Sequence, residues 1–117
     1  MTAQDFPACS LDADGMSRRA AELRTLLAPH ATAIRRSGPR AEIDLSLDPV
    51  QERALAELLR LERECCPFWR FSLSRRSARL VRLEVGADAP HEPALDAFLT
   101  LVAAVPAAAA QPKRPLT

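Results

Sequence analysis

Three cysteines carry the most distinctive chemistry in the sequence. Cys65 and Cys66 stand side by side in Glu64-Cys65-Cys66-Pro67-Phe68, and Cys9 lies alone near the N-terminus. Soft cations such as Hg(II), As(III) and Cu(I) prefer thiolate ligands. Three sulfurs suit trigonal coordination, and two suit the linear geometry of Hg(II). Zn(II) needs a fourth ligand. No Cys-x-x-Cys or His pair supplies one, which leaves His30 or Glu64 for that role. The residue types therefore point to Cys9, Cys65 and Cys66 as ligands of a thiophilic metal ion.

Spacing decides whether these sulfurs can meet. Successive residues in a helix point about 100° apart, which spoils a shared site for two adjacent cysteines. Pro67 changes the geometry, because its ring disfavours the α conformation at Cys66. Cys65 should then close a helix, with Cys66 outside it and able to turn toward the same ion. Cys9 completes the set if the start of the first helix packs near the end of the second. Around the thiols, Glu64 is a candidate hydrogen-bond acceptor, although its spacing puts it on a solvated face. Phe68 and Trp69 are candidates to shield the ion from water, with core packing as the plainer role.

Other uses of the thiols compete with this one. Free cysteine is among the most buried residue types, so the pair also reads as small core hydrophobes. A 65–66 disulfide would be strained, since adjacent α-carbons sit about 3.8 Å apart and disulfides usually span roughly 4.4–6.8 Å. A 9–65 or 9–66 bridge remains open, although an odd number of cysteines argues against a disulfide framework. A nucleophilic thiolate is poorly served at a helix C-terminus, where the dipole disfavours negative charge; Arg63 or Arg70 would offset this in part. The main rival is a thiol enzyme, for instance one that cleaves carbon–metal bonds, with Cys65 or Cys66 attacking and Glu64 or Asp12 handling the proton. No Cys/His couple is evident, so binding is expected over catalysis.

The elements that must hold these residues are legible from periodicity. Residues 1–7 read as a loose lead-in and residues 8–106 as one domain. Ser10, Asp12 or Asp14 are candidate caps of a first helix, with Met16, Ala20, Leu23 and Leu27 on one face. Pro29 ends it, and His30 follows in a turn. Residues 31–36 form a weak strand candidate, and Ser37-Gly38-Pro39 a turn. From Arg40 to Leu47, apolar Ala41, Ile43, Leu45 and Leu47 alternate with Glu42, Asp44 and Ser46, which predicts a strand with one dry face. Asp48-Pro49-Val50-Gln51 is a strong helix start. That helix should run to Cys65, with Ala54, Leu58, Leu61 and Cys65 on the apolar stripe, Leu55 and Leu59 flanking it, and Glu57, Arg60 and Glu64 opposite.

Two more strands follow, over 68–75 and 79–86, and then a helix that starts between Asp88 and Pro93, with His91 exposed in its first turn, and ends at Pro106. Residues 107–117 read as a disordered tail. The second half matches the first at an offset of 40: residues 35–61 align with 75–101 without a gap, which suggests a duplicated half-domain, against chance similarity of one pattern. Where the first copy has Cys65-Cys66, the second has Val105-Pro106, so packing alone does not demand the thiols. The fold class is α+β: an opening helix, then strand–strand–helix twice, giving a four-stranded antiparallel sheet with helices on its dry face.

Composition narrows the function classes. The chain has 117 residues and a net charge of +1, enough for a core without obligatory staples and too neutral to attract nucleic acid or a membrane. The arginines at 35–36 and 75–76 read as solvated turn residues. No apolar run reaches the roughly 18 residues of a membrane span, and Met1–Ala8 lacks the pattern of a signal peptide. A cytoplasmic protein with reduced thiols is expected. A homodimer is open.

The chain resembles small bacterial proteins, common in actinobacteria, that carry an early Cys-Ser/Thr-Leu followed by a helix, a hairpin and a Glu-x-x-Cys-Cys-x-Phe segment. The matching residues are Cys9-Ser10-Leu11 and Glu62-Arg63-Glu64-Cys65-Cys66-Pro67-Phe68. Such proteins often accompany metal-responsive regulators of the MerR type. The resemblance implies a role in handling mercury or another thiophilic metal, by sequestration, transfer or resistance, and extends to the three cysteines.

Overall fold

The structure, a computed structural model, describes residues 13–103, and the side chains from residue 18 onward. The lead-in, Cys9, the cap candidates Ser10 and Asp12, Val105-Pro106 and the tail lie outside the described residues. The elements are α1 (Ala13–Leu27), β1 (Ala31–Ser37), β2 (Arg40–Ser46), α2 (Pro49–Cys65), β3 (Trp69–Arg75), β4 (Leu80–Ala87), a single 3-10 turn (Ala89–His91) and α3 (Glu92–Ala103). This is an α+β fold. The four strands form one antiparallel sheet in the order β1-β2-β4-β3.

The alternation in β2 and β4 sets the sheet's two faces. Ala41, Ile43 and Leu45 of β2 and Val81, Leu83 and Val85 of β4 are buried. Glu42, Asp44, Arg82 and Glu84 lie between them in sequence and so point to the opposite face. The helices cover the dry face. There Leu23 and Leu27 of α1, Leu55 and Leu59 of α2 and Leu95, Phe98 and Val102 of α3 join the strand residues in one core. Each fully buried Leu, Ile or Val contributes about 1.5–3 kcal/mol of apolar transfer free energy.

Local chemistry fixes the ends. Gly38, at φ +60°, lies in the two-residue turn between Ser37 and Arg40, which are paired in the ladder; a side chain there would strain the backbone. α2 starts in a capping box. The Gln51 N–H donates to Asp48 Oδ1 at 2.7 Å, and the Asp48 N–H donates to Gln51 Oε1 at 2.9 Å. Asp14 is already inside α1.

The apolar stripe of α2 differs from the expected one. Leu55, Leu59 and Cys65 are buried, Ala54 is exposed, and Leu58 and Leu61 are half-buried. The inward line runs 55–59–62 and on to the cysteines, at helical i, i+4, i+7 spacing. Alanine contributes little area to burial, so packing rotates the helix to bury the larger leucines. The rotation has a consequence for the site: it carries Glu62 toward the protein interior.

Candidate thiol site

The site is built on the last turn of α2. Cys65 is its final residue, and Cys66 follows in an extended conformation, φ −129° and ψ 90°. The Cys66 N–H still donates to the Glu62 carbonyl at 2.8 Å, and the Cys66 carbonyl accepts from the Trp69 N–H at 3.2 Å. The chain thus leaves the helix at the residue before Pro67, as steric exclusion of the α region requires, and turns directly into β3. Cys65 and Cys66 are both buried, at 6% and 4% exposure.

Cys66 is disulfide-bonded. The expectation that all three thiols are reduced does not hold for this residue. Cys9 lies outside the described residues, and no group of three His, Cys, Asp or Glu side chains is placed to hold a metal ion among those described.

The helix that follows the early cysteine lies next to the doublet. Arg19, in the first half of α1, donates to Glu62 Oε2 at 3.2 Å, across from the end of α2. Both side chains are largely buried, at 14% and 20% exposure. Burial pushes the Glu62 carboxyl above the usual range, and the Arg19 charge and hydrogen bond only partly oppose this. Glu62 is the carboxylate one turn before the thiols. Glu64 is not so placed: it is exposed and paired with Arg60, which also binds Glu57. The inward position of Glu62 follows from the rotation of α2. A signal for it was present in the repeat, since Glu62 aligns with Val102, which is 1% exposed.

Aromatic side chains extend from the doublet. Trp69 is buried at 6%, with its ring centroid 5.1 Å from Phe68, 5.2 Å from Phe71 and 5.5 Å from Phe98. Phe68 is half-buried and stacks on His91 at 4.0 Å with 5° between the ring planes. His91 is therefore a half-buried member of this cluster, where a surface position was expected. Its Nδ1 is buried without a hydrogen-bond partner among the described residues. His30 is half-buried in the turn after α1, where its N–H donates to the Leu27 carbonyl. Arg63 is exposed, and Arg70 is exposed and bound to Asp88 at 3.0 Å.

No family model, curated protein or solved structure matches the chain. Two adjacent sulfurs lie in an apolar setting with a half-buried carboxylate one turn away, and one of them is in a disulfide. Such a site can take part in thiol–disulfide exchange or, once reduced, offer thiolates to a soft cation.

Proposed function

We propose that this protein binds a thiophilic metal ion, such as Hg(II), As(III) or Cu(I), through Cys9, Cys65 and Cys66 in the reduced state, for sequestration, transfer or resistance. The observation that supports this reading best is the disulfide at Cys66. Such a bond needs a second sulfur about 2.05 Å away, and adjacent residues bridge poorly. Cys9 is the one cysteine outside the doublet, so it is the proposed partner. A sulfur that reaches Cys66 in the oxidised state is within reach of a shared ion in the reduced one. The Arg19–Glu62 contact adds support, because it holds the first half of α1 beside the end of α2. Zn(II) is less favoured, since Glu64, one of the two expected fourth ligands, is exposed and paired with Arg60, and a structural zinc site needs four protein ligands.

The test is to reduce the protein and titrate it with HgCl2, following the ultraviolet thiolate-to-mercury absorbance. The expected result is saturation at about one ion per chain, with weaker binding for each of Cys9→Ser, Cys65→Ser and Cys66→Ser. Affinity unchanged in Cys9→Ser would remove the third ligand, and no stoichiometric binding by the reduced wild type would end the metal reading.

The same disulfide favours a second reading, thiol–disulfide redox chemistry, in which Cys66 cycles between bridged and reduced forms. Turnover of a small disulfide substrate with an added dithiol as the electron donor, each cycle reducing the substrate and oxidising the dithiol, and lost in Cys66→Ser, would select it. Turnover of an organomercurial would instead select carbon–metal bond cleavage.

A further inference from the structure

The sheet face away from the helices is ordered in rows of charge. Arg40 of β2 and Arg70 of β3 flank Gly86 of β4 in register. In the next row along the strands, about 7 Å away, Glu42 and Glu84 are direct cross-strand partners. An open groove of about 510 Å³ lies over both rows. Gly86 forms part of its floor. The Arg40 stem lies against it: a Cβ there would stand 3.4 Å from Arg40 Cγ and 3.7 Å from Cδ, ordinary van der Waals contact.

Most charges in this groove are already neutralised. Arg35 donates to Glu42 at 3.2 Å and to Asp44 at 3.0 Å, and Arg70 donates to Asp88. Two groups are not: among the described residues, neither Arg40 nor Glu84 has an ion pair. They are diagonal neighbours on adjacent strands, a relation that separates residues by about 7–8 Å. Two carboxylates directly opposite each other on one face are destabilising, and only Glu42 has a cation beside it. A purely anionic ligand would be repelled by Glu42 and Glu84, and a purely cationic one by Arg40 and Arg70.

We propose that this groove binds a small zwitterion of the amino-acid type, with its carboxylate on Arg40 and its ammonium group on Glu84. Such a ligand satisfies both unmatched charges at once and relieves the repulsion between the facing carboxylates. Arg40 supplies a planar donor fork suited to a carboxylate, and Glu84 accepts from the ammonium group.

The test is amide-resolved NMR of the full chain, titrated with glycine and with 4-aminobutyrate, two zwitterions of different charge separation. Acetate and methylammonium serve as single-charge controls. At least one zwitterion should give saturable shifts centred on residues 40–42 and 84–86, with each control about tenfold weaker. Arg40→Gln and Glu84→Gln should each lower affinity by about tenfold; both residues are exposed, and unchanged amide shifts elsewhere verify the fold. Acetate binding as tightly as either zwitterion would overturn the proposal in favour of a simple anion site. Absence of saturable shifts with both zwitterions up to about 100 mM would overturn it outright.

Discussion

The two strand–strand–helix units of this molecule share a frame and differ where chemistry is concentrated. Positions 40 residues apart meet at the centre of the sheet, where Ile43 of β2 is the direct partner of Leu83 of β4. Leu55 of α2 and Leu95 of α3, also 40 apart, are both fully buried. The units diverge at the helix ends. Asp48 caps α2 through a complete box with Gln51, whereas Asp88 makes no side-chain cap bond and His91 stands in the place of Gln51. Toward the C-terminus, α3 buries Val102 where α2 holds the ion-paired Glu62. The second unit thus shows what packing alone needs at that position, an aliphatic side chain. A carboxylate in its place, one turn before two buried cysteines, is a departure from that packing with a cost in desolvation, which Arg19 partly offsets.

The largest effect should come from the shared frame. Ile43→Ala and Leu83→Ala each remove a fully buried side chain at the same central pairing. Each should cost about 3 kcal/mol in urea unfolding. Similar losses at the two sites would support a common frame, and a large difference would show that one unit carries the core.

The next effect tests the departure at position 62. Glu62→Val gives α2 the residue of its counterpart but leaves Arg19 without its carboxylate. It should cost about 1–2 kcal/mol, and the double change Arg19→Leu/Glu62→Val should recover that loss. The pH dependence has a defined sign. The folded-state pKa of Glu62 is raised above its usual 4.5 by burial, so the folded state binds the proton more tightly than the unfolded chain. Its contribution to stability is then fullest below pH 4.5, falls as pH rises through the folded pKa, and levels off above it. Glu62→Gln should remove that fall. A wild-type curve that rises across this window relative to Glu62→Gln would contradict the burial argument. Asp44 has the opposite sign. Hydrogen bonds from Arg35 and then Arg82 hold its carboxyl below the usual range, so its contribution is present above about pH 3.8 and lost on acidification through the folded pKa.

The same comparison shows what the sequence made legible. Strict alternation in residues 40–47 and the Asp-Pro-x-Gln start placed β2 and α2 almost to the residue, because both signals are local. The release of the chain at Cys66 was equally readable, since Pro67 acts on its immediate neighbour. The phase of α2 was not. Ala54, Leu55, Leu58, Leu59 and Leu61 spread over a wide apolar arc, and only packing against the sheet decides which edge turns inward. The inward position of Glu62 depends on that phase, and the sequence pattern assigns it no face; His91, expected at the surface, is drawn inward by its stack on Phe68. The disulfide at Cys66 depends on which sulfur tertiary structure brings near, and spacing along the chain does not encode that.

The smallest of these effects separates the two helix starts. At Asp48 the side chain accepts one orphan N–H of the first turn while Gln51 satisfies another group in return. Asp48→Ala should therefore cost about 1 kcal/mol. At Asp88 the carboxylate is paired, among the described residues, with the exposed Arg70, and surface pairs of this kind contribute between about 0 and 1 kcal/mol. Asp88→Ala should fall at the low end of that range. Because Asp88 makes no side-chain cap bond at the turn before α3, the stack of His91 on Phe68 ties that turn to the segment that carries the cysteines. If His91→Ala shifts the unfolding midpoint more than Asp88→Ala does, the second unit is anchored through the aromatic cluster, and the two helix starts have reached the same end by different physics.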